Sequence, residues 1–581
     1  MVKKLLKSVR EYKTSSILTP IFVILEVILE IAIPLLMAQL IDDGIYKGEM
    51  NVVYKIGIEL ILCALLSLVF GALSGIFAAK ASAGFAKNLR EDLYFKVQDF
   101  SFSNIDKFST SSLITRLTTD VTNIQMAYQM IIRIAVRAPL MLIIALCFSF
   151  SINVELSLIF LILAPIIGFG LFYIVIKVHP LMDKVFKKYD GLNNVVEENV
   201  SGIRVVKSFV LENEEISKFK KVSNEIYKGF SKAEKIIALN NPLMQLAIYV
   251  CILLISWFGA TIIVNSNMTA LTTGELMTMF TYAIQILSSL MMLSMVFVMI
   301  TISMSSANRI VEILDEEPTK KIKDNPLLTV KDGSIEFKKV SFSYVNNKKK
   351  ECLKNINLKI KSGETVGIIG GTGSGKSSLV NLIPRLYDVT EGELKVGGVN
   401  VKDYDLEALR KEVACVLQKN ILFTGTINDN VRWGDENATN EEVRRVCELA
   451  QADEFISRFP DGYDTYIEEG GTNVSGGQKQ RLCIARALLR KPKILILDDS
   501  TSAVDTKTDS LIQKAFKEEI PNTTKIIIAQ RISSVENCDK IIVMDKGKIN
   551  GIGTHQELLK TNKIYKEVYT SQMKGSDTNE E

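Results

Sequence analysis

Residues 370–377 read Gly-Gly-Thr-Gly-Ser-Gly-Lys-Ser, and this stretch decides the fold of half of the chain. It directly follows the apolar run Thr-Val-Gly-Ile-Ile at 365–369, which predicts a buried strand, and a helix is expected after it. Glycines at this spacing let backbone N–H groups wrap phosphate oxygens at a helix N-terminus, while Lys376 reaches the β- and γ-phosphates and Ser377 coordinates Mg²⁺. The pattern therefore predicts a nucleotide-binding α/β domain.

A pair of acids follows another apolar strand of the same domain. The run Ile-Leu-Ile-Leu at 494–497 ends in Asp498 and Asp499. A carboxylate at the end of such a strand holds Mg²⁺ in phosphate-loop enzymes, so Asp498 is the candidate metal ligand. Runs rich in Ile, Val and Leu at 334–344 and 525–529 predict further buried strands.

The N-terminal half has a different composition, and the mean hydropathy of the 581 residues is +0.20. Six apolar runs there are each long enough to cross about 30 Å of hydrocarbon as a helix. They lie at about 17–41, 52–79, 131–152, 154–178, 242–264 and 276–304. We therefore expect a membrane domain at 1–304, a linker at 305–332, a nucleotide-binding domain at 333–572 and a flexible acidic tail at 573–581.

The charge distribution predicts that both termini lie in the cytoplasm. The first 13 residues carry five basic side chains against one acid, whereas the loop at 265–274 has no basic residue. The inner connections at about 80–130 and 179–241 are much longer than ordinary loops between helices and read as amphipathic helix. We therefore expect the spans to continue into the cytoplasm as long helical hairpins.

Composition also excludes several classes of function. The 69 Lys and Arg residues nearly balance the 65 Asp and Glu residues, which argues against a nucleic-acid partner. The eight cysteines are scattered without a C-x-x-C pair, and there are two histidines. These counts argue against a zinc site, a disulfide framework and a His-rich metal site.

Residues 474–481 read Val-Ser-Gly-Gly-Gln-Lys-Gln-Arg, and here the chain resembles the ATP-binding-cassette (ABC) family, with Val in place of the first Leu of the signature L-S-G-G-Q-x-Q-R. Segments at 89–120 and 198–209 are similar to the two intracellular hairpins of ABC exporters. The resemblance implies a half-transporter, six spans followed by an ATPase, that works as a dimer with two ATP molecules between the cassettes. A physical reason for a dimer is that the backbone nest at 475–477 and the loop at 370–377 cannot easily grip one nucleotide together if they lie on different subdomains of one chain. A second chain must then supply one of them to each nucleotide.

The resemblance also implies roles for individual residues. Those expected to contact ATP are Tyr344, which would stack on adenine, and Gly370, Gly371, Thr372, Gly373, Ser374, Gly375, Lys376, Ser377, Ser378 and Gln418. Mg²⁺ would be held by Ser377, Gln418 and Asp498, and Asp505 would be the acid of the D-loop. The partner's ATP would meet Val474, Ser475, Gly476, Gly477 and Gln478. The spans and the cassette would be coupled near 104–108 and 205–213, through Asp106, Phe108, Phe209 and Glu469.

Two positions depart from the family pattern. Asp499 stands where the family has Glu, and Gln530 where it has the His of the switch strand. Asp is one methylene shorter, and a misplacement of about 1 Å can cost around 100-fold in rate. Gln can donate a hydrogen bond but cannot become cationic. The pair resembles the degenerate-site subunit of heterodimeric bacterial multidrug exporters, which predicts a slow ATP site here and a complete one on a different partner chain; a slow but working homodimer is the alternative.

The membrane half carries ionisable and sulfur-containing side chains of its own. Glu26 and Glu30 lie four residues apart, hence on one helical face, and either attract cationic amphipathic substrates or pair with Arg133 or Arg137. Met292, Met295 and Met299 share a face of the last span. They either contact varied apolar ligands or pack as ordinary core residues.

The function predicted from these features is ATP-driven export of lipophilic compounds across the cell membrane of a bacterium. The expected partners are a second half-transporter, the lipid bilayer and lipophilic or cationic small molecules. A lipid flippase is an alternative that differs in what enters the cavity. An ATP-gated channel or regulator is a further alternative, which the lack of a long insert that could be phosphorylated disfavours.

Overall fold

The computed structural model describes residues 1–318, 325–345, 350–499 and 504–577, and the chain divides into two compact units. The first unit comprises Met1–Asp99 and Phe108–Glu316. The second comprises Phe100–Lys107 and Glu317–Glu581, so a short piece from within the N-terminal half folds with the C-terminal half.

The first unit is helical. In chain order the helices up to its end are α1 (Val2–Leu5), α2 (Lys13–Gln39), α3 (Met50–Gln98), α4 (Phe102–Lys107), α5 (Thr110–Thr115), α6 (Val121–Ile152), α7 (Val154–Ser201), α8 (Ile203–Ser208), α9 (Glu212–Ile237), α10 (Asn240–Ser266) and α11 (Thr273–Asp315), of which α4 belongs to the second unit. Within the described residues, six helical segments are long and apolar enough to cross a membrane. They are Val2–Ile45, Met50–Gln98, Thr110–Ile152, Val154–Met182, Glu212–Ser266 and Thr273–Asp315. These segments confirm the six expected spans.

The long helices extend well beyond the hydrocarbon. Helix α3 has 49 residues and α7 has 48, and at a rise of 1.5 Å per residue each measures about 70 Å, against about 30 Å of hydrocarbon. Asn153 caps the start of α7 by accepting a hydrogen bond from the backbone N–H of Leu156 at 3.1 Å. Both helices are therefore much longer than a membrane span requires.

The core of the first unit lies between spans. Val23, Val27 and Ile31 of α2 are fully buried against side chains of α11, including Tyr282. The Tyr282 hydroxyl donates to the backbone carbonyl of Ile31 at 2.9 Å. A buried phenol needs such a partner because leaving it unpaired would cost its full desolvation.

Helix α11 continues beyond the boundary expected from its apolar run. The sequence predicts a linker from residue 305, but the helix ends at Asp315. Ile310 and Ile313 are fully buried, and the Arg309 Nε donates to Asp120 at 2.7 Å. These contacts hold the last three turns of α11 in place.

The described residues of the second unit form three sheets. Its strands are β1 (Ile335–Phe342), β2 (Leu353–Ile360), β3 (Thr365–Gly370), β4 (Glu391–Val396), β5 (Val399–Asn400), β6 (Val413–Val416), β7 (Gly425–Thr426), β8 (Tyr466–Ile467), β9 (Ile494–Asp498), β10 (Thr524–Ile528), β11 (Lys540–Asp545) and β12 (Lys548–Gly553). Its remaining helices are α12 (Lys376–Asn381), α13 (Leu406–Glu412), α14 (Ile427–Arg432), α15 (Asn440–Leu449), α16 (Asp453–Ile456), α17 (Gly476–Leu489), α18 (Thr506–Glu519), α19 (His555–Thr561) and α20 (Lys563–Asp577).

The main sheet has the strand order β12-β11-β3-β10-β9-β6 among the described residues. Strands β11, β3, β10, β9 and β6 pair in parallel, and β12 is antiparallel to β11. Because β10 lies between β3 and β9, the carboxyl ends of these three strands meet at one edge, where ligands bind in open α/β sheets. This edge carries the phosphate loop, the acid pair and the switch residue.

The strand expected at 334–344 forms as β1, which pairs antiparallel with β2 and β4 in a separate sheet. The tail expected to be flexible at 573–581 is instead helical as far as Asp577, where α20 ends; residues 578–581 lie outside the described part.

Candidate ATP site

The phosphate loop connects β3 to α12 as its sequence predicts. Gly373 and Gly375 have φ of +77° and +96°, a region that side-chain-bearing residues rarely adopt. A Cβ on Gly375 would lie 2.9 Å from a Leu353 methyl carbon and 3.0 Å from the Cys352 carbonyl oxygen. Glycine is therefore required at 375 by both conformation and space.

The Lys376 ammonium group lies over this loop. Its Nζ donates to the carbonyl oxygens of Gly370 at 2.8 Å and Gly371 at 2.9 Å. Burial lowers the pKa of Lys376, while the carboxylates of Asp498 and Asp499 oppose that shift. Phosphate oxygens are stronger acceptors for an ammonium group than these carbonyls, so the lysine is placed to bind an anion.

A cavity of about 520 Å³ opens at the loop. Its lining residues are Glu351, Cys352, Gly373, Ser374, Gly375, Lys376, Ser377, Ser378, Lys546 and Gly547. Ser374 Oγ is buried and has no hydrogen-bond partner among the described residues. The volume falls within the range of small-molecule sites, and two lysines against one glutamate leave the lining with a net positive charge.

The aromatic candidate Tyr344 stands near the end of this cavity. Its ring is half-exposed, and its hydroxyl lies 3.0 Å from Ser378 Oγ. The ring packs edge-on against Tyr387, with centroids 5.0 Å apart. One exposed aromatic face beside a phosphate loop is suited to stacking on a base.

The residues expected to hold Mg²⁺ lie side by side. Asp498 ends β9 and is buried, and the Ser377 side chain lies close enough to favour its charged form. Burial raises the pKa of Asp498, and the charge of Asp499 adds to that effect. A carboxylate beside a hydroxyl, in a place where a negative charge is costly, fits a Mg²⁺ ion. The side chain of the third candidate, Gln418, lies close enough to Asp499 to favour the charged form of that carboxyl group.

The two positions that depart from the family pattern contact each other. Gln530 Nε2 donates to Asp499 Oδ2 at 2.9 Å. Asp499 has φ of +49°, and its backbone N–H donates to the Ile528 carbonyl at 2.9 Å. Burial raises the pKa of the Asp499 carboxyl group. The Asp499 carboxylate thus accepts a hydrogen bond from the Gln530 amide.

The signature segment begins α17. Ser475 is its N-cap, and Ser475 and Gln478 form a reciprocal pair in which the Ser475 backbone N–H donates to Gln478 Oε1 at 2.8 Å. Val474 is buried in the core, whereas Ser475 and Gly476 are exposed. No signature residue is among those that line the described cavity. The structure therefore places this helix N-terminus on a separate surface of the unit.

The remaining candidates of the second unit have local roles. Asp505 caps α18 by accepting hydrogen bonds from the Thr508 backbone N–H at 2.9 Å and hydroxyl at 2.7 Å, which lower the pKa of Asp505. Residues 502 and 503 of the expected D-loop lie outside the described residues. Glu469 is exposed in the short turn Glu469–Gly471.

The candidate coupling residues lie in different places. Asp106 belongs to Phe100–Lys107, which folds with the second unit, and it accepts a hydrogen bond from the Tyr387 hydroxyl at 2.7 Å. Phe108 is buried in the first unit under Arg116, whose guanidinium lies 4.9 Å from the ring centre. Phe209, which follows α8, is 71% exposed.

The membrane carboxylates are paired. Arg137 of α6 donates to Glu30 at 2.6 Å and also contacts Glu26. Of the alternatives left open by the sequence, the structure contains the ion pair with Arg137. On α11, Met292 and Met295 are exposed and Met299 is half-buried, so the described chain by itself leaves this face uncovered.

Comparison with known proteins agrees with this geometry. The family described as "ABC transporter transmembrane region" matches residues 16–291, and the family described as "ABC transporter" matches residues 353–502. The "Uncharacterized ABC transporter ATP-binding protein YfiB" of Bacillus subtilis is 36% identical over 579 residues, 99% of this chain and 100% of that protein. The chain belongs to the ABC transporter family. It is an ABC exporter half-transporter, and its cassette binds ATP.

Two further similarities describe its relatives. The "ATP-dependent lipid A-core flippase" of Hahella chejuensis is 34% identical over 504 residues, 87% of this chain and 85% of that protein. A solved structure entitled "Structure of a bacterial Atm1-family ABC exporter with ATP bound" superposes with a TM-score of 0.83 at 24% identity, covering 97% of this chain and 98% of that one. The latter shows the shared fold. ABC exporters work as dimers within a membrane and couple ATP hydrolysis to transport.

Two residues of this region carry no motif in the sequence. Tyr387 contacts both Tyr344 and Asp106, and Gln572 of α20 contacts the switch segment. Each is far along the chain from its partners, so no local spacing could have indicated them.

Proposed function

We propose that this chain is one half of an ATP-driven exporter of lipophilic compounds in a bacterial cell membrane, paired with a different and catalytically complete half-transporter. The ATP site of this chain binds nucleotide and hydrolyses it slowly. Residues 474–478 complete the faster site on the partner. The basic N-terminal stretch supports an orientation with both termini in the cytoplasm.

The bond between Gln530 and Asp499 carries this proposal. Asp499 occupies the position of the water-activating acid, but its side chain is one methylene shorter than that of Glu and its carboxylate accepts a hydrogen bond from the Gln530 amide. A well-placed general base contributes about 10²–10⁴-fold to a rate, and this contribution is lost if the carboxylate does not reach the attacking water. Gln530 has no ionisable group to offer the γ-phosphate.

The rest of the site supports retention of ATP. Lys376 lies over the loop to bind the phosphates, and Ser377 with Asp498 would hold Mg²⁺. The ion, when bound, neutralises charge on the phosphate oxygens. Tyr344 provides an aromatic face for adenine.

The signature helix supports a catalytic role in the partner's site. Ser475 and Gly476 are exposed at the N-terminus of a 14-residue helix, where backbone N–H groups favour an anion. The cap formed by Ser475 and Gln478 stabilises this N-terminus. The phosphate group of an ATP molecule held by a second chain can bind here without any rearrangement of α17.

The test is the ATPase activity of the purified pair in which only the partner's glutamate equivalent to Asp499 is replaced by Gln. Turnover is expected to fall almost to zero, and altering Gly477 of this chain should have nearly the same effect. The matched change Asp499→Asn should alter turnover less than about twofold. Turnover near half of wild type in the partner variant would show two equal sites and refute the asymmetry.

Restoration offers a second test of the same proposal. Asp499→Glu combined with Gln530→His should raise hydrolysis at this site, measured while the partner's glutamate is replaced. The two gains should not multiply, since residues of one catalytic group act together. A rate unchanged by both substitutions would contradict the assignment of these two positions.

Lipid flipping is the second candidate function, and the 34% identical relative named as a lipid A-core flippase favours it. The two candidates differ in what the membrane half carries. ATP-dependent movement of a fluorescent phospholipid between leaflets, measured beside efflux of a fluorescent drug-like dye in the same vesicles, separates them.

A further inference from the structure

The C-terminal helix α20 is fixed at its start. Tyr565 is fully buried in the core of the second unit, and its hydroxyl lies 2.7 Å from His555 Nδ1. The Tyr565 backbone N–H donates to the Asn562 side-chain oxygen at 3.0 Å. Residues seven positions apart share a helical face, so a helix anchored at 565 presents residue 572 on the same side.

Gln572 on that face contacts the switch segment through both ends of its amide. Its Nε2 donates to the carbonyl oxygen of Gln530 at 2.8 Å, and its Oε1 accepts from the backbone N–H of Ile532 at 2.9 Å. One side chain therefore satisfies two backbone groups that lie two residues apart. Such a two-point contact fixes the direction of the backbone more firmly than a single bond.

The same segment is held from its other end. Ser534 Oγ donates to Asp509 Oδ2 of α18 at 2.8 Å, and α18 is capped by Asp505. At the end of the segment that Gln572 contacts, the Gln530 side chain donates to Asp499. Gln572 is thus linked to the acid of the ATP site through the backbone of one residue.

We propose that Gln572 is a positioning residue for the ATP site of this chain. Its amide fixes the backbone at 530–532, so that the Gln530 side chain is already ordered beside Asp499 before nucleotide binds. Without the two hydrogen bonds of Gln572, the binding of ATP must itself order this segment. Ordering the backbone of one residue weakens binding by about 5- to 30-fold. The inference deepens the proposed function and rests on it for the binding of ATP at this site.

The experiment uses the full chain with its partner in detergent and measures labelling of this chain by radioactive 8-azido-ATP with Mg²⁺. Gln572→Ala should raise the half-saturating concentration by about 5- to 30-fold. Gln572→Glu keeps the size and the acceptor for Ile532 but loses the donor to Gln530, so it should shift the curve in the same direction. Ser571→Ala, an exposed neighbour on α20, is the matched control and should leave the curve unchanged.

A double-mutant cycle separates positioning from general support of the fold. If Gln572 acts through Gln530, then adding Gln572→Ala to Gln530→Ala should change the half-saturating concentration by less than about twofold. Fully additive losses would overturn the proposal, and so would wild-type labelling of both Gln572 variants. Thermal unfolding of each variant shows whether a loss of labelling follows from a damaged fold. If Gln572→Ala unfolds at a lower temperature than wild type, the labelling of Gln572→Glu, provided that it unfolds as wild type does, decides between the two explanations.

The outcome is independent of which chain hydrolyses ATP. Label is counted on this chain alone, so the curve reports the occupancy of this chain's site. If Gln572 proves not to position this segment, the proposed asymmetry of the two ATP sites is therefore unaffected. Conversely, equal hydrolysis at the two sites would refute the proposed function and leave the labelling result unaffected.

Discussion

Replacing Arg137 by Met is expected to destabilise the membrane unit strongly. The Arg137 side chain is 22% exposed and contacts Glu26, which is 11% exposed, and Glu30, which is 33% exposed. Glu26 also accepts a hydrogen bond from the Ser74 hydroxyl at 3.5 Å. Methionine keeps much of the volume of arginine, so the change chiefly removes the positive charge and its hydrogen bonds.

The magnitude follows from the buried carboxylate that loses its partner. Breaking a buried ion pair by removing one member costs about 3–5 kcal/mol, because the other charge stays buried and unpaired. Glu26 should account for most of this cost, since Glu30 retains more solvent. At about 2–4 °C per kcal/mol, the unfolding midpoint should fall by roughly 6–20 °C.

The assay is thermal unfolding of the purified protein in detergent, followed by intrinsic fluorescence. Arg133→Met is the matched control, because Arg133 lies one turn earlier in α6 and forms no ion pair among the described residues. The triple variant Arg137→Met, Glu26→Gln, Glu30→Gln should recover most of the lost stability. Equal shifts for the two arginine variants, or a triple variant no more stable than Arg137→Met, would refute the reasoning.

Two other changes address the coupling of transport to hydrolysis. Phe209→Ala removes an exposed aromatic side chain that we expect to dock on a cassette, where burial of Phe typically contributes 3–5 kcal/mol, and it should abolish the stimulation of ATPase by substrate; a wild-type response would remove Phe209 from this role. Tyr387→Phe removes the hydroxyl that donates to Asp106 at 2.7 Å, and it should reduce transport severalfold in a dye-efflux assay, whereas Tyr387→Leu, which also loses the ring packed on Tyr344, should reduce it further. Equal transport by all three Tyr387 forms would show that this contact carries no signal.

Short-range chemistry accounts for what could be read from the sequence. The glycine spacing at 370–377 and the acids after 494–497 specify a loop and a strand end whose conformations depend on adjacent residues. Gly375 illustrates this, since its positive φ is a local requirement of the loop. The six spans could also be predicted from the sequence, because about 20 consecutive apolar residues are sufficient for a helix in lipid whatever surrounds it.

Long-range packing accounts for what could not be read. The run at 334–344 is apolar enough for a strand, but its place in an antiparallel sheet depends on β2 and β4, which are selected by the whole fold. Likewise, Arg133 and Arg137 are equivalent in the sequence, and the orientation of α6 against α2 selects Arg137 as the partner of the carboxylates.

The sequence by itself determined the two kinds of domain, the ATP-binding loop, the Mg²⁺ candidates and the departure of two positions from the family pattern. The hydrogen bond between Gln530 and Asp499 could be seen only in the tertiary structure. The same is true of the two hydrogen bonds by which Gln572 of α20 contacts the backbone of Gln530 and Ile532. The physical reason is separation along the chain. Parallel strands bring β9 and β10 side by side, and a helix that closes the domain then reaches the same edge, so these contacts exist only once all three elements have packed.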